Sequence, residues 1–173
     1  MDEEPASGEQ AYRLGKTYEQ SYRGCGQCVV AAVQDTFGVQ DDAVFRAATG
    51  FAAGGGLCGD GNCGAYAGGI MVLSYLAGRP RDDFDDRAGA TFASYGLVQA
   101  LREHFIQEYG SVKCRDIQYR IFGRPFFLLD EDDARKFDEA GGHLDKCPEV
   151  VGKAARWTAE LIAQKGLARG WTE

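Results

Sequence analysis

The chain has 173 residues, 45% of them apolar and 26% charged, which suits one domain with a real core and excludes a wholly disordered protein. Lys and Arg number 19 against 26 Asp and Glu, and a net charge of −7 is repelled by phosphate backbones, so nucleic-acid binding is not expected. The biases that remain are 24 Gly, and six Cys against two His, and they direct the search for function to the cysteines.

No targeting or membrane segment is visible. Residues Met1 to Gln10 are acidic and polar, where a secretory signal needs a positive start and an apolar stretch. The most apolar run, Ala65 to Ala77, is shorter than the roughly 20 residues that span a bilayer. The expected location is the cytoplasm, with no membrane insertion. Thiols stay reduced there, so six cysteines point to metal ligands or redox groups rather than structural disulfides.

The predicted elements are helical throughout. Residues Glu9 to Tyr22 carry Tyr12, Leu14, Tyr18 and Tyr22 at roughly helical spacing, and Gly24 interrupts the run. A second helix spans Cys25 to Phe37, with Val29, Val30, Val33 and Phe37 on one face and Gly38 as its stop. Asp41 to Thr49 forms a short helix whose acidic start suits the helix dipole. A glycine-rich loop, Gly50 to Gly64, precedes a buried helix over Ala65 to Ala77, closed by Gly78-Arg79-Pro80. The acidic linker Arg81 to Asp86 leads into a long helix, Arg87 to Tyr109, which Gly110 stops. Cys114 starts a short turn or helix, and Tyr119 to Leu129 reads as aromatic and irregular. Asp130 to Ala140 is a short helix ended by Gly141-Gly142, and the last helix opens at Cys147-Pro148 and runs to about Lys165. No period-two strand pattern persists. The expected fold is an all-α, compact, single-domain helical bundle. A disordered acidic stretch over 1–10 precedes the domain at 11–166, and 167–173 forms a tail.

The cysteines stand at 25, 28, 58, 63, 114 and 147. Cys25, Cys63, Cys114 and Cys147 fall at or just before predicted helix starts, where unpaired N–H groups and the dipole stabilise thiolate and lower the thiol pKa. Helix ends brought together would make a multi-thiolate pocket. Otherwise these are small residues that merely pack. Cys25-Gly-Gln-Cys28 is a CxxC without the strand context of a thioredoxin, and Val29 stands where haem attachment needs His. Cys28 is either a core residue or a second thiol on the same face. Cys58 and Cys63 pair across the glycine loop, but the spacing to the first pair is longer than in zinc ribbons.

Gly59, Gly61 and Gly64 spell GxGxxG, yet a helix precedes them and Asp60 repels phosphate, so no dinucleotide site is expected. The loop instead suits sharp turning, with N–H groups near Cys63 able to donate to sulfur. His104 reads as an ordinary helix residue, and His143 as a neighbour of Cys147 without an assigned role. The acidic runs Asp82 to Asp86 and Asp130 to Asp133 read as solvated helix starts. Phe122, Phe126 and Phe127 with Arg124 read as a core plug or docking edge.

Cys63-Gly-Ala-Tyr-Ala-Gly68 is a CGAxxG that follows a run of three glycines. With Cys25-Gly-Gln-Cys28-Val-Val upstream, and Phe105, Tyr109-Gly-Ser, Cys114-Arg-Asp-Ile and Cys147-Pro-Glu-Val-Val downstream, it resembles the C_GCAxxG_C_C family of redox-active proteins over about Tyr12 to Ala163. The resemblance implies a small helical protein, a redox role and four functional cysteines, matched by Cys25, Cys63, Cys114 and Cys147. It implies no established reaction. Family members are encoded near transporter genes in some genomes. A similar segment accompanies haem regions in certain multihaem cytochromes, where an iron–sulfur centre is implied; this chain has no haem motif. Cys28 and Cys58 fall outside the four-cysteine pattern.

Three functions follow. In the first, the four cysteines bind a 2Fe–2S or 4Fe–4S cluster for electron transfer, with Cys28 and Cys58 as additional candidates. In the second, a metal-free thiol–disulfide oxidoreductase or sensor uses Cys63 as the attacking thiolate and Cys58 or Cys28 to resolve. In the third, the chain is a non-catalytic accessory of a transporter or redox complex. A redox partner protein is expected, and a homodimer is left open.

Overall fold

The computed structural model describes residues 3–171; residues 1, 2, 172 and 173, which belong to the expected termini, lie outside the described residues. Eight α-helices form: α1 Glu3–Tyr22, α2 Cys25–Thr36, α3 Asp42–Ala47, α4 Gly64–Ala77, α5 Ala90–Tyr109, α6 Cys114–Phe122, α7 Glu131–Glu139 and α8 Cys147–Gln164. Among the described residues the only β pairing is one isolated bridge between Asn62 and Lys113. The fold is all-α, as the periodicity predicted.

Local chemistry accounts for most helix ends. Asp41 caps α3 by accepting from the Val44 N–H at 2.9 Å, and Asp130 caps α7 through the Asp133 N–H at 2.9 Å. Pro148 occupies the first turn of α8. Gly110 and Gly123, in the left-handed region at φ 77° and 79°, close α5 and α6.

Four expectations change. The chain is helical from Glu3, so the expected disordered stretch is, over 3–10, the opening of α1. The reason is burial: Ala11 and Gly15 lie on α8, and the helix that carries them extends back toward the N-terminus. The buried face of α1 is also not the aromatic one, since Tyr22 is 78% exposed. Small residues let α8 approach: a Cβ on Gly15 would stand 3.1 Å from the Ala155 Cβ. Finally, α6 continues to Phe122, so the first part of the Tyr119 to Leu129 stretch is helical rather than irregular. Phe122, Phe126 and Phe137 then pack ring against ring at 5.3–5.6 Å, while Phe127 stays exposed. The tail also docks in part, because Leu167, Ala168 and Trp171 pack on the core.

The core gathers Val29, Val30 and Val33 of α2, Leu73 of α4, Leu101 and Phe105 of α5, and Val151 and Ile162 of α8. Phe105 is fully buried and touches the rings of Tyr66, Tyr109 and Trp157 at 5.1–5.8 Å. Phe105→Ala is expected to cost about 4 kcal/mol, read as a lower midpoint in denaturant titration. No helix among the described residues is long and apolar enough to cross a membrane.

Candidate functional site

Four helix starts meet at one end of the bundle. Cys25 opens α2, Cys63 immediately precedes α4, Cys114 opens α6 and Cys147 opens α8. All four line one cavity of about 280 Å³. Its remaining wall is largely apolar, with Ile117, Ile121, Leu128, Phe137 and Val150.

The glycine loop builds this meeting. The Cys63 N–H donates to the Val112 carbonyl at 2.8 Å, and the Cys114 N–H donates to the Gly61 carbonyl at 3.0 Å. These bonds, beside the Asn62–Lys113 bridge, staple the start of α4 to the start of α6. The Gly59 and Gly61 carbonyls, accepting from the Arg115 and Cys114 N–H groups, tie the glycine loop to the start of α6. A Cβ on Gly64 would collide with the Cys25 Sγ, and 2.7 Å separates that position from the Phe51 carbonyl oxygen. Only glycine lets the Cys25 thiol lie against the head of α4.

Backbone N–H groups near two of the sulfurs favour thiolate, and none of them comes from Gly59, Gly61 or Gly64. The backbone N–H groups of Ala65 and Tyr66 act to lower the Cys63 thiol pKa, and those of Ala53 and Gly26 act to lower that of Cys25. Ala53, whose N–H acts to lower the Cys25 thiol pKa, adopts a left-handed φ of 47°, costly for a residue with a Cβ. Gln118 donates from Nε2 to the Cys114 Sγ at 3.5 Å, and its Oε1 accepts from the Phe126 N–H at 2.7 Å.

The expected lowering of the thiol pKa values is overturned. Burial pushes Cys63 and Cys114 up to about 12, each also raised by a neighbouring cysteine. Burial likewise raises Cys25 and Cys147, with the other thiols adding repulsion. Desolvation of four groups in one cavity outweighs the helix-start N–H groups that favour thiolate. Each of the four thiols is raised by at least one other of the set, which places them as one electrostatic unit. They are nevertheless spread around the cavity: among the described residues no three Cys, His, Asp or Glu side chains are grouped closely enough to hold a single metal ion.

The other two cysteines stand apart. Cys28 is buried, its thiol donates to the Arg23 carbonyl at 3.2 Å, and it lines a different surface from the four. Cys58 is exposed, with its sulfur 3.7 Å from the Gly56 carbonyl oxygen and outside the cavity lining. His104 stacks on Trp157 at 5.2 Å, away from the thiols. His143 lines the cavity, its Nδ1 2.6 Å from Asp138 Oδ1.

One lining residue escaped the sequence reading. Glu19 of α1 is 3% exposed, borders the same cavity, and its Oε2 has no hydrogen-bond partner. Burial raises its carboxyl to about 7, against lowering by the neighbouring Cys28 and Arg23 side chains. The legible signal was its register: Gly8, Ala11, Gly15 and Glu19 form one buried stripe at helical spacing, an acid in line with small residues.

A raised carboxyl makes the metal-free protein less stable as pH rises. Below about 4.5 the Glu19 carboxyl is protonated folded or unfolded, so it costs nothing. Between about 4.5 and about 7 the folded chain keeps a proton the unfolded chain releases, and stability falls with rising pH. The loss is about 3 kcal/mol in total. Glu19→Gln is expected to flatten that slope in melts taken from pH 4.5 to 7.5.

Fold and site together define an all-helical protein with a buried cavity of four thiols drawn from four separate helix starts. Over residues 24–161 the chain matches the family described as "Putative redox-active protein (C_GCAxxG_C_C)", and it belongs to that family. No curated protein and no solved structure matches the chain.

Proposed function

We propose that Cys25, Cys63, Cys114 and Cys147 hold an iron–sulfur cluster and that the protein transfers electrons to a protein partner in the cytoplasm. The observation that carries this reading is the meeting of four thiols from four separate helix starts at one cavity, with the other two cysteines outside it. A lone zinc ion needs its donors at about 2.3 Å from a single point, which suits a tighter grouping than this one. A polynuclear cluster takes its thiolates on different irons, and so suits donors spread round a volume.

Such a cluster supplies one-electron chemistry at a potential set by charge, hydrogen bonds and solvent access. The chain's own groups serve those terms. The N–H groups of Ala53, Gly26, Ala65 and Tyr66 stabilise negative sulfur, as does Gln118 at Cys114. Ile117, Ile121 and Phe137 give the cavity an apolar wall. Because ligands bind as thiolates and these thiols are held neutral by burial, loading releases protons. Iron uptake is therefore expected to weaken as pH falls, measurable as lower iron retention against a chelator.

Metal-free dithiol chemistry has less support. It calls for Cys63 as a low-pKa nucleophile, but burial raises that thiol, and Cys58 lies outside the cavity. The test is anaerobic purification with absorption, iron, zinc and acid-labile sulfide measured on one sample. Visible charge-transfer bands with matched iron and sulfide are expected. A colourless, metal-free protein that resists reconstitution and titrates reversibly as dithiols would overturn the reading.

A further inference from the structure

Glu19 borders the cavity of the four thiols and has a carboxyl oxygen left over. It is 3% exposed, borders their cavity, and its charge registers at Cys25, Cys63 and Cys147. Cys28 is outside the cavity lining and donates its thiol to the Arg23 carbonyl instead. Oε2 has no partner. The nearby cation, Arg23, lies 3.9 Å from Asp138 across Nη2 and Oδ2 and is largely exposed.

The donor and acceptor inventory then decides the role. Thiolates bound to metal carry no proton, and sulfide carries none, so sulfur held in the cavity that Glu19 borders can only accept. A carboxylate oxygen also only accepts. Two acceptors face to face in a buried site are unfavourable, and the contact is satisfied when the carboxyl keeps its proton and donates it.

We infer that Glu19 donates a hydrogen bond from its carboxyl O–H to sulfur of the group held by Cys25, Cys63, Cys114 and Cys147, and thereby raises its reduction potential. This rests on the cluster reading above. A donor to sulfur favours the reduced, more negative state, which is why hydrogen bonds to sulfur set such potentials.

The test uses the full chain as wild type, Glu19→Gln and Glu19→Leu, loaded anaerobically with iron and sulfide and titrated for midpoint potential. Glu19→Leu is expected to titrate at a lower potential than wild type. Glu19→Gln, whose amide N–H can donate, is expected close to wild type. The loaded wild type should also show the infrared carbonyl band of a neutral carboxyl, absent in Glu19→Gln. Potentials that rise in both variants identify a charged carboxylate and overturn the inference. Unchanged potentials in both, or loaded wild type without the infrared band, overturn it as well. In those outcomes iron and sulfide are present, so the cluster reading stands alone. A wild type that takes up neither iron nor sulfide removes the cluster reading and this inference with it.

Discussion

Cys63→Ser is expected to lower iron affinity by about 100-fold or more, since losing even an outer-shell partner of a metal ligand costs roughly 10–100-fold. The same loss is expected for Cys25→Ser, Cys114→Ser and Cys147→Ser, because the four thiols line one cavity and act on one another electrostatically. Cys58→Ser should load as wild type does, being exposed and away from the lining. Cys28→Ser separates burial from ligation. Its side chain is 3% exposed, so serine there costs about 1–2 kcal/mol of stability while leaving iron uptake intact. Iron, sulfide and visible absorption after identical anaerobic loading decide the matter, with far-UV circular dichroism of each variant to show that it folds. Full loading of Cys63→Ser would sink the ligand set. Loss of loading in Cys58→Ser would enlarge it.

Gly68→Leu is expected to destabilise the protein by about 3 kcal/mol or more through overpacking. A Cβ at Gly68 would meet the Gly26 carbonyl oxygen, which is backbone and cannot swing away. The clash would force α4 from α2, and α2 carries Cys25 while α4 follows Cys63. Stability and thiol placement should therefore fail together. At this chain length the melting midpoint should fall by roughly 10 °C. Gly96→Ala in α5 is the matched control: nothing lies within 4 Å of its Cβ position. That change should instead stabilise by about 0.5–1 kcal/mol, since glycine inside a helix is entropically costly. A Gly68→Leu protein that melts with wild type would show that the two helices do not need this close approach.

Helix existence and most helix ends were legible because their causes are local. Capping aspartates at 41 and 130, Pro148 after Cys147 and the stop glycine at 110 act within a turn of their own position. The buried face of α1 was not legible in the same way. Tyr12, Tyr18 and Tyr22 drew attention as the apolar residues, yet contact with α8 selected Gly8, Ala11 and Gly15, because close helix approach rewards small side chains over large ones. That misplaced face also hid Glu19.

By itself the sequence determined an all-helical chain, four cysteines at helix starts, and a glycine loop suited to sharp turning. These follow from periodicity, caps and backbone freedom, all of them short-range. Only the tertiary structure decided which thiols share a cavity. Cys58 and Cys63 are five residues apart in one loop, yet one is exposed and the other lines the site. It also decided the sign of the thiol shifts. A helix start acting alone favours thiolate, but gathering four starts around a largely apolar cavity makes desolvation and mutual repulsion the larger effects. Both depend on what the rest of the chain places nearby, and no stretch of a few residues carries that information.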